Sequence, residues 1–140
     1  MLTKEFKDKI FTSYSIKNIR GLYERASIEA MQIYGNPERR RDRTPEQVLK
    51  NVLQGLTLEF LLVENIDNYE FAPNKYHDII DKNTGDLIEV KAYNTKDPNS
   101  YLIKTEVNRL KASNWNHSKY MIVYSCQDEL YTYLTTINLK

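Results

Sequence analysis

A single cysteine, Cys126, occurs in the whole chain. One thiol forms no intrachain disulfide and no cysteine metal cage, so disulfide scaffolds and zinc-ribbon chemistry are excluded. The lone thiol is the expected state of a protein of the reducing cytoplasm. It follows an apolar run and reads as a strand-end residue, not as a nucleophile. Long apolar stretches are missing too. The start, MLTKEFKDKIF, has neither the apolar core of a signal peptide nor the length of a membrane span. Charge of one sign is not in excess: 20 basic and 19 acidic residues leave a net charge of +1. A nucleic-acid partner would therefore be held by a local patch, not by a global basic field. Repeats and low-complexity tracts are lacking as well. The 140 residues fit one domain with one core of ordinary size.

What is present is a helical first third. Segments 3–12 and 18–34 read as helices, the second from Ile19, Leu22, Tyr23, Ala26, Ala30, Ile33 and Tyr34 at helical spacing. Gly35-Asn36-Pro37 stops it, and the charged run ERRRDR follows from Glu38 to Arg43. Thr44, Pro45 and Gln47 then form a helix start with a capping box. That helix is expected to reach about Glu64, with Val48, Leu49, Val52, Leu53, Leu56, Phe60 and Val63 as its apolar stripe. Glu59 lies seven residues after Val52 and three after Leu56, so it points with the stripe.

After Asn65 the period changes. Residues 69–72, 76–81 and 86–93 read as strands, the last two joined by a hairpin loop, KNTG. A polar loop, NTKDPNS, spans 94–100; a helix is expected over 102–113 and strands over 119–125 and 130–137. This order implies an α/β (α+β) chain with a mixed sheet flanked by helices. Residues 1–43 would be an N-terminal helical extension and 44–140 the core.

The segment GDLIEVKAYN, 85–94, carries the chemistry. On a strand, Glu89 and Lys91 share one face while Ile88, Val90 and Ala92 share the other. The hairpin brings Asp78 alongside. Two carboxylates beside a lysine suit Mg²⁺, which prefers a couple of carboxylates plus phosphate oxygens and waters. Glu59, on the stripe of the preceding helix, points toward the same sheet. The tripeptide alone has little specificity: Glu5-Phe6-Lys7 repeats the pattern in a polar helix and reads as a solvated face. The bland alternative for Glu89 and Lys91 is a cross-strand ion pair near a sheet edge. An apolar strand, a partner aspartate and a stripe-facing glutamate set the second copy apart.

Together these residues resemble the core of the PD-(D/E)xK nuclease superfamily over about residues 45–135. HDIIDKNTGDLIEVKAYN is similar to the metal-site hairpin of small type II restriction endonucleases, and also to archaeal-type Holliday junction resolvases. One departure is His77 where the family places a proline. The resemblance implies a restriction-endonuclease-like fold and Mg²⁺, for which Mn²⁺ substitutes, held by Asp78, Glu89 and the Val90 carbonyl. It also implies that Lys91 positions the water, with Glu59 assisting. The expected reaction is hydrolysis of DNA phosphodiesters to a 5′-phosphate and a 3′-hydroxyl, of restriction or homing type, with junction resolution as the alternative. His77 and His117 read as structural or loop histidines.

Duplex or branched DNA needs cations near its phosphates. Arg39, Arg40, Arg41 and Arg43 are the candidate patch, with Glu38 and Asp42 as possible internal partners of the run. Asn94 and Lys96 in the polar loop and Lys104 in the following helix are further candidates, with Arg109 and Lys111 beyond. Two-strand cutting implies a homodimer or higher homo-oligomer, with the 18–34 helix as a candidate interface. Two rival classes stand beside this expectation. One is a DNA-binding or regulatory protein that keeps the fold without cutting. The other is an interaction module using the hairpin only for packing.

Overall fold

The computed structural model describes residues 2–12, 21–73, 78–112 and 118–140. In chain order these form α1 (Lys4–Lys7), β1 (Phe11–Thr12), α2 (Leu22–Tyr34), α3 (Pro37–Arg40), α4 (Pro45–Asn65) and β2 (Tyr69–Phe71). There follow β3 (Ile79–Asp81), β4 (Leu87–Tyr93), α5 (Tyr101–Ala112), β5 (Tyr120–Gln127) and β6 (Leu130–Asn138). Six strands make one sheet in the order β1-β6-β5-β4-β3-β2. The β4–β5 pair is parallel and every other pair antiparallel. The chain is thus a mixed α/β fold whose mixed sheet is flanked by helices. Among the described residues, no helix is long and apolar enough to cross a membrane.

Local chemistry accounts for most element boundaries. The Thr44 hydroxyl accepts from the Gln47 N–H at 3.2 Å, while Gln47 Oε1 accepts from the Thr44 N–H at 2.8 Å, closing the capping box of α4. Asn36 caps α3 by accepting from the Glu38 and Arg39 N–H groups. The β3–β4 loop is closed by Asp81, whose carbonyl accepts the Gly85 N–H at 2.7 Å and whose Oδ1 accepts the Asn83 N–H at 2.9 Å. Gly85 has φ +75°, a left-handed conformation that favours glycine. The β5–β6 turn places Asp128 and Glu129 at φ +52° and +63°, two left-handed residues in succession, as a two-residue hairpin demands.

The expected helix over 3–12 is only one turn long. Thr3 caps it, and by Phe11 the chain has become a strand that pairs with Tyr131 and Leu130. A β-branched and aromatic run, Ile10-Phe11-Thr12, favours that extended state. Leu2 and Phe11 are buried in the main core, so residues 2–12 fold with the sheet. Of the helix expected over 18–34, the described part begins at Leu22. Of the strand expected over 76–81, Asp78 to Asp81 are described, and Tyr76 and His77 lie outside the described residues.

The sheet has a core on each face. Ile88 and Val90 of β4 and Ile122, Tyr124 and Cys126 of β5 face Leu58 and Leu62 of α4. Met121 and Val123 of β5 face the other way, against Ile103 and Leu110 of α5. Here α4 departs from the expected stripe. Leu49, Val52, Leu53 and Leu56 pack on Leu22 and Ala26 of α2, while Leu58 and Leu62 meet the sheet. The helix is apolar on two sides because it lies between α2 and the sheet, and a single-stripe reading finds only one of them.

Candidate active site

β3 ends at Asp81's side of the hairpin and leaves Asp78 at its mouth, beside β4. The register sets Ile79 opposite Ile88, so Asp78 lies next to Glu89 and Val90. Asp78 Oδ2 accepts the Val90 N–H at 2.8 Å. In an extended strand a residue's N–H and C=O point to the same edge, so the Val90 carbonyl faces the Asp78 side too. Val90's side chain is buried in the α4-facing core, and Glu89 and Lys91 project from the opposite face.

Three carboxyl groups meet here. Asp78 is hydrogen-bonded to Glu59 of α4 and to Glu89 of β4. Glu59 and Glu89 are both buried. Burial, then the charge of Asp78, raises the Glu59 carboxyl well above the ordinary range, and Arg25 of α2 opposes this in part. The same two causes push Glu89 up to about 7, against the pull of Lys91 and of a hydrogen bond from Ser118. The Ser118 hydroxyl donates to Glu89 Oε1 at 3.2 Å and is itself buried. Like charges crowded in a low-dielectric place hold protons that a cation would displace.

Lys91 is half-buried, and its Nζ lies 3.4 Å from Glu106 Oε1 of α5. Burial alone would lower its pKa, but Glu106, Asp78 and Glu89 outweigh it and the net shift is upward. These carboxyl groups therefore favour the ammonium form of Lys91. Glu106 is in turn gripped by Arg109, through Nη2 to Oε1 at 2.6 Å and Nε to Oε2 at 3.1 Å. Burial would raise Glu106, yet Arg109 and Lys91 hold it below its usual value. Tyr93, two residues past Lys91, is pushed up to about 12 by burial and by Glu106. The charges of Lys91, Arg109 and Arg41 oppose that shift in part.

Asp78, Glu89, Lys91 and Glu59 are brought together, with the Val90 backbone beside them. Among the described residues, no group of three or more His, Cys, Asp or Glu side chains is spaced to hold a metal ion by itself. The set that fits Mg²⁺ is thus two carboxylates, Asp78 and Glu89, with a backbone carbonyl and waters. The arginine run divides. Arg43 is spent within its own loop, donating to the Arg40 and Arg39 carbonyls and to Asn51. Arg40 stacks on the Tyr34 ring at 4.9 Å, while Arg39 and Arg41 are exposed. Asn94 and Lys96 are exposed in the loop after β4. Lys104 is exposed beside a groove between α5 and β6, two residues from Glu106 and so nearly opposite it around the helix. His77 and His117 lie outside the described residues.

Ser118, Glu106 and Arg25 were not singled out from the sequence. The Glu106–Arg109 pair has the i, i+3 spacing of a helical ion pair, which is a visible signal. Its approach to Lys91 depends on how α5 docks and has no local signature. No protein-family model, curated protein or solved structure matches the chain.

Proposed function

We propose that this chain is a Mg²⁺-dependent endodeoxyribonuclease with a restriction-endonuclease-like core. The observation that carries the proposal is the convergence of Asp78, Glu89 and Glu59 with the Lys91 ammonium alongside. A pair of carboxylates that repel each other, next to a fixed cation, suits a phosphodiester better than a neutral substrate. Asp78, Glu89 and the Val90 carbonyl would hold the ion, for which Mn²⁺ substitutes. When bound, Mg²⁺ supplies charge neutralisation on the phosphate and a more acidic water. Lys91, protonated and anchored by Glu106, orients the attacking water and faces the charge that grows on the phosphate. Glu59 holds Asp78 from the helix side. Water oxygen bonds to phosphorus and the P–O3′ bond breaks, leaving a 5′-phosphate and a 3′-hydroxyl. Exposed Arg39, Arg41, Lys96 and Lys104 would supply local cations for the phosphates of a duplex. The single buried thiol, Cys126, fits a reducing, cytoplasmic setting.

Within this class we favour site-specific cutting, of restriction or homing type, over junction resolution. Supercoiled plasmid incubated with Mg²⁺ is expected to give nicked and linear products, and none with EDTA or Ca²⁺. A linear duplex run beside a four-way junction separates the two modes. Intact DNA of every form, under conditions where the protein binds Mg²⁺, leaves the fold as a non-cutting DNA-binding or regulatory protein.

A further inference from the structure

Among the described residues, most of β6 has no strand on its outer side. Among the described residues, the only strand bonded to its outer side is β1, which covers Leu130 and Tyr131. From Thr132 to Asn138 the inner side pairs with β5, and no described strand lies on the outer side. Proteins guard such edges with charge, proline or a bulge, because an unguarded edge recruits another strand. The strand LYTYLTTIN carries no charge and no proline. Its one irregularity is a register shift opposite Val123 and Tyr124, and from Thr135 to Asn138 the ladder is regular. Threonine, tyrosine, leucine and isoleucine here all favour extended pairing.

Apolar surface adjoins that edge. On the α5 side of the sheet a groove of about 550 Å³ is lined by Ile103, Val107, Leu134 and Ile137, together with the polar Asn99, Lys104 and Asn108. At the start of α5, Tyr101 and Leu102 are 81% and 55% exposed. An uncharged strand edge beside a partly apolar groove is a docking surface, not a finished border.

We infer that the β6 edge pairs with the β6 edge of a second copy of this chain, antiparallel about a two-fold axis near Thr136. A second copy fits for two reasons. The strand is uncharged along its length, so its two-fold mate sets no like charges opposite each other. Thr135 and Ile137 lie on the groove face and Thr136 on the other, judged by their partners Val123, Met121 and Ile122. An axis at Thr136 therefore sets Thr135 against Ile137 of the mate on one face, and Thr136 against itself on the other.

The second reason rests on the nuclease reading. A two-fold axis through an antiparallel ladder runs perpendicular to the sheet, so both copies present the same face to the same side. Glu89 and Lys91 of both protomers then face one substrate. Five strand spacings separate the two β4 strands, on the order of 24 Å. That is shorter than one duplex turn of about 34 Å, so both sites reach opposite strands of a single DNA segment.

Sedimentation of the protein without DNA or metal tests the pairing. Wild type is expected at twice the chain mass of 16.6 kDa, and Thr136→Lys at the single mass with an unchanged far-UV spectrum. Thr136→Cys is expected to form a disulfide-linked dimer on oxidation, since facing residues of an antiparallel pair lie within disulfide reach. If Thr136→Lys does not fold, the Thr136→Cys cross-link decides alone. A monomeric wild type overturns the inference, as does a dimer that survives Thr136→Lys with no cross-link through Thr136→Cys. So does a dimer lost only on Met31→Glu, which would move the interface to the exposed face of α2. These readouts are independent of cleavage, so an inactive dimer would sink the nuclease reading and leave the pairing standing.

Discussion

Asp78 Oδ2 accepts the Val90 N–H at 2.8 Å, so a side chain at the mouth of one strand continues the hydrogen-bond ladder of the next. The same carboxylate is bonded to Glu59 and Glu89. One residue therefore serves both the backbone and the charge cluster, and two substitutions separate those duties. Asp78→Ala leaves the Val90 N–H without its acceptor and is expected to cost about 1–3 kcal/mol in denaturant unfolding. Asp78→Asn keeps an acceptor oxygen and removes the charge that burdens Glu59 and Glu89, so its stability is expected not to fall. Both variants should lose cleavage of plasmid DNA. An Asp78→Asn protein that still cuts at the wild-type rate would remove Asp78 from the chemistry.

The crowded carboxyls make stability depend on pH in a defined direction. Glu89 is raised from 4.5 to about 7, and Glu59 is raised as well. The folded state therefore holds protons that the unfolded chain releases, and stability falls as pH rises from the unfolded value through the folded one. Between about pH 4.5 and 7, Glu89 alone accounts for a loss on the order of 3 kcal/mol. Thermal melts in EDTA are expected to show the decline. Added Mg²⁺ should restore the melting temperature above pH 7 and have little effect below pH 5. A profile that is flat in EDTA would show that the cluster is not coupled as the geometry requires.

Lys91→Ala removes the ammonium that lies between the cluster and Glu106. Single-turnover cleavage is expected to slow by about 10²–10³, the scale of a lost charge stabiliser. DNA affinity, read by fluorescence anisotropy in Ca²⁺, should change little. Loss of binding in step with loss of cutting would make Lys91 a phosphate anchor instead.

In the proposed reaction Glu106 would act only through Lys91, with which it is paired. Glu106→Gln releases that lysine from its partner at 3.4 Å and also frees Arg109. A fall of about 10–100-fold in kcat with KM nearly unchanged is the expected pattern for a positioning residue. Equal changes in both constants would mark a general loss of substrate binding.

The two-sided burial of α4 has its own check. Leu58 is fully buried against the sheet, whereas Phe60 is half-buried. Leu58→Ala is expected to cost about 2–5 kcal/mol, and Phe60→Ala less than Leu58→Ala despite its larger side chain. Chemical denaturation of the two variants gives the comparison, and the reverse order would restore the single-stripe reading of the helix.

Much of this was legible along the chain. Thr44, Pro45 and Gln47 marked the start of α4 because a capping box acts within four residues. The loop KNTG and the alternation of LIEVKAY gave the hairpin, and with it the nearness of Asp78 to Glu89, because both follow from local periodicity. Short apolar runs were harder. Phe11 and Thr12 join the sheet through Tyr131 and Leu130, more than a hundred residues away, and no local pattern records that pairing. Leu58 and Leu62 fell outside the expected stripe because α4 serves two neighbours at once.

The sequence by itself determined which residues share the hairpin: Asp78, Glu89 and Lys91 fall there at fixed spacing, and strand geometry leaves them little freedom to part. Tertiary structure alone decided what surrounds them. Glu59 and Arg25 arrive on packed helices, Glu106 reaches Lys91 from α5, and Ser118 leads into β5. Those contacts arise from helix docking and strand order, whose free energies come from apolar area buried between distant segments, and that is a property of the folded whole and not of any window of sequence.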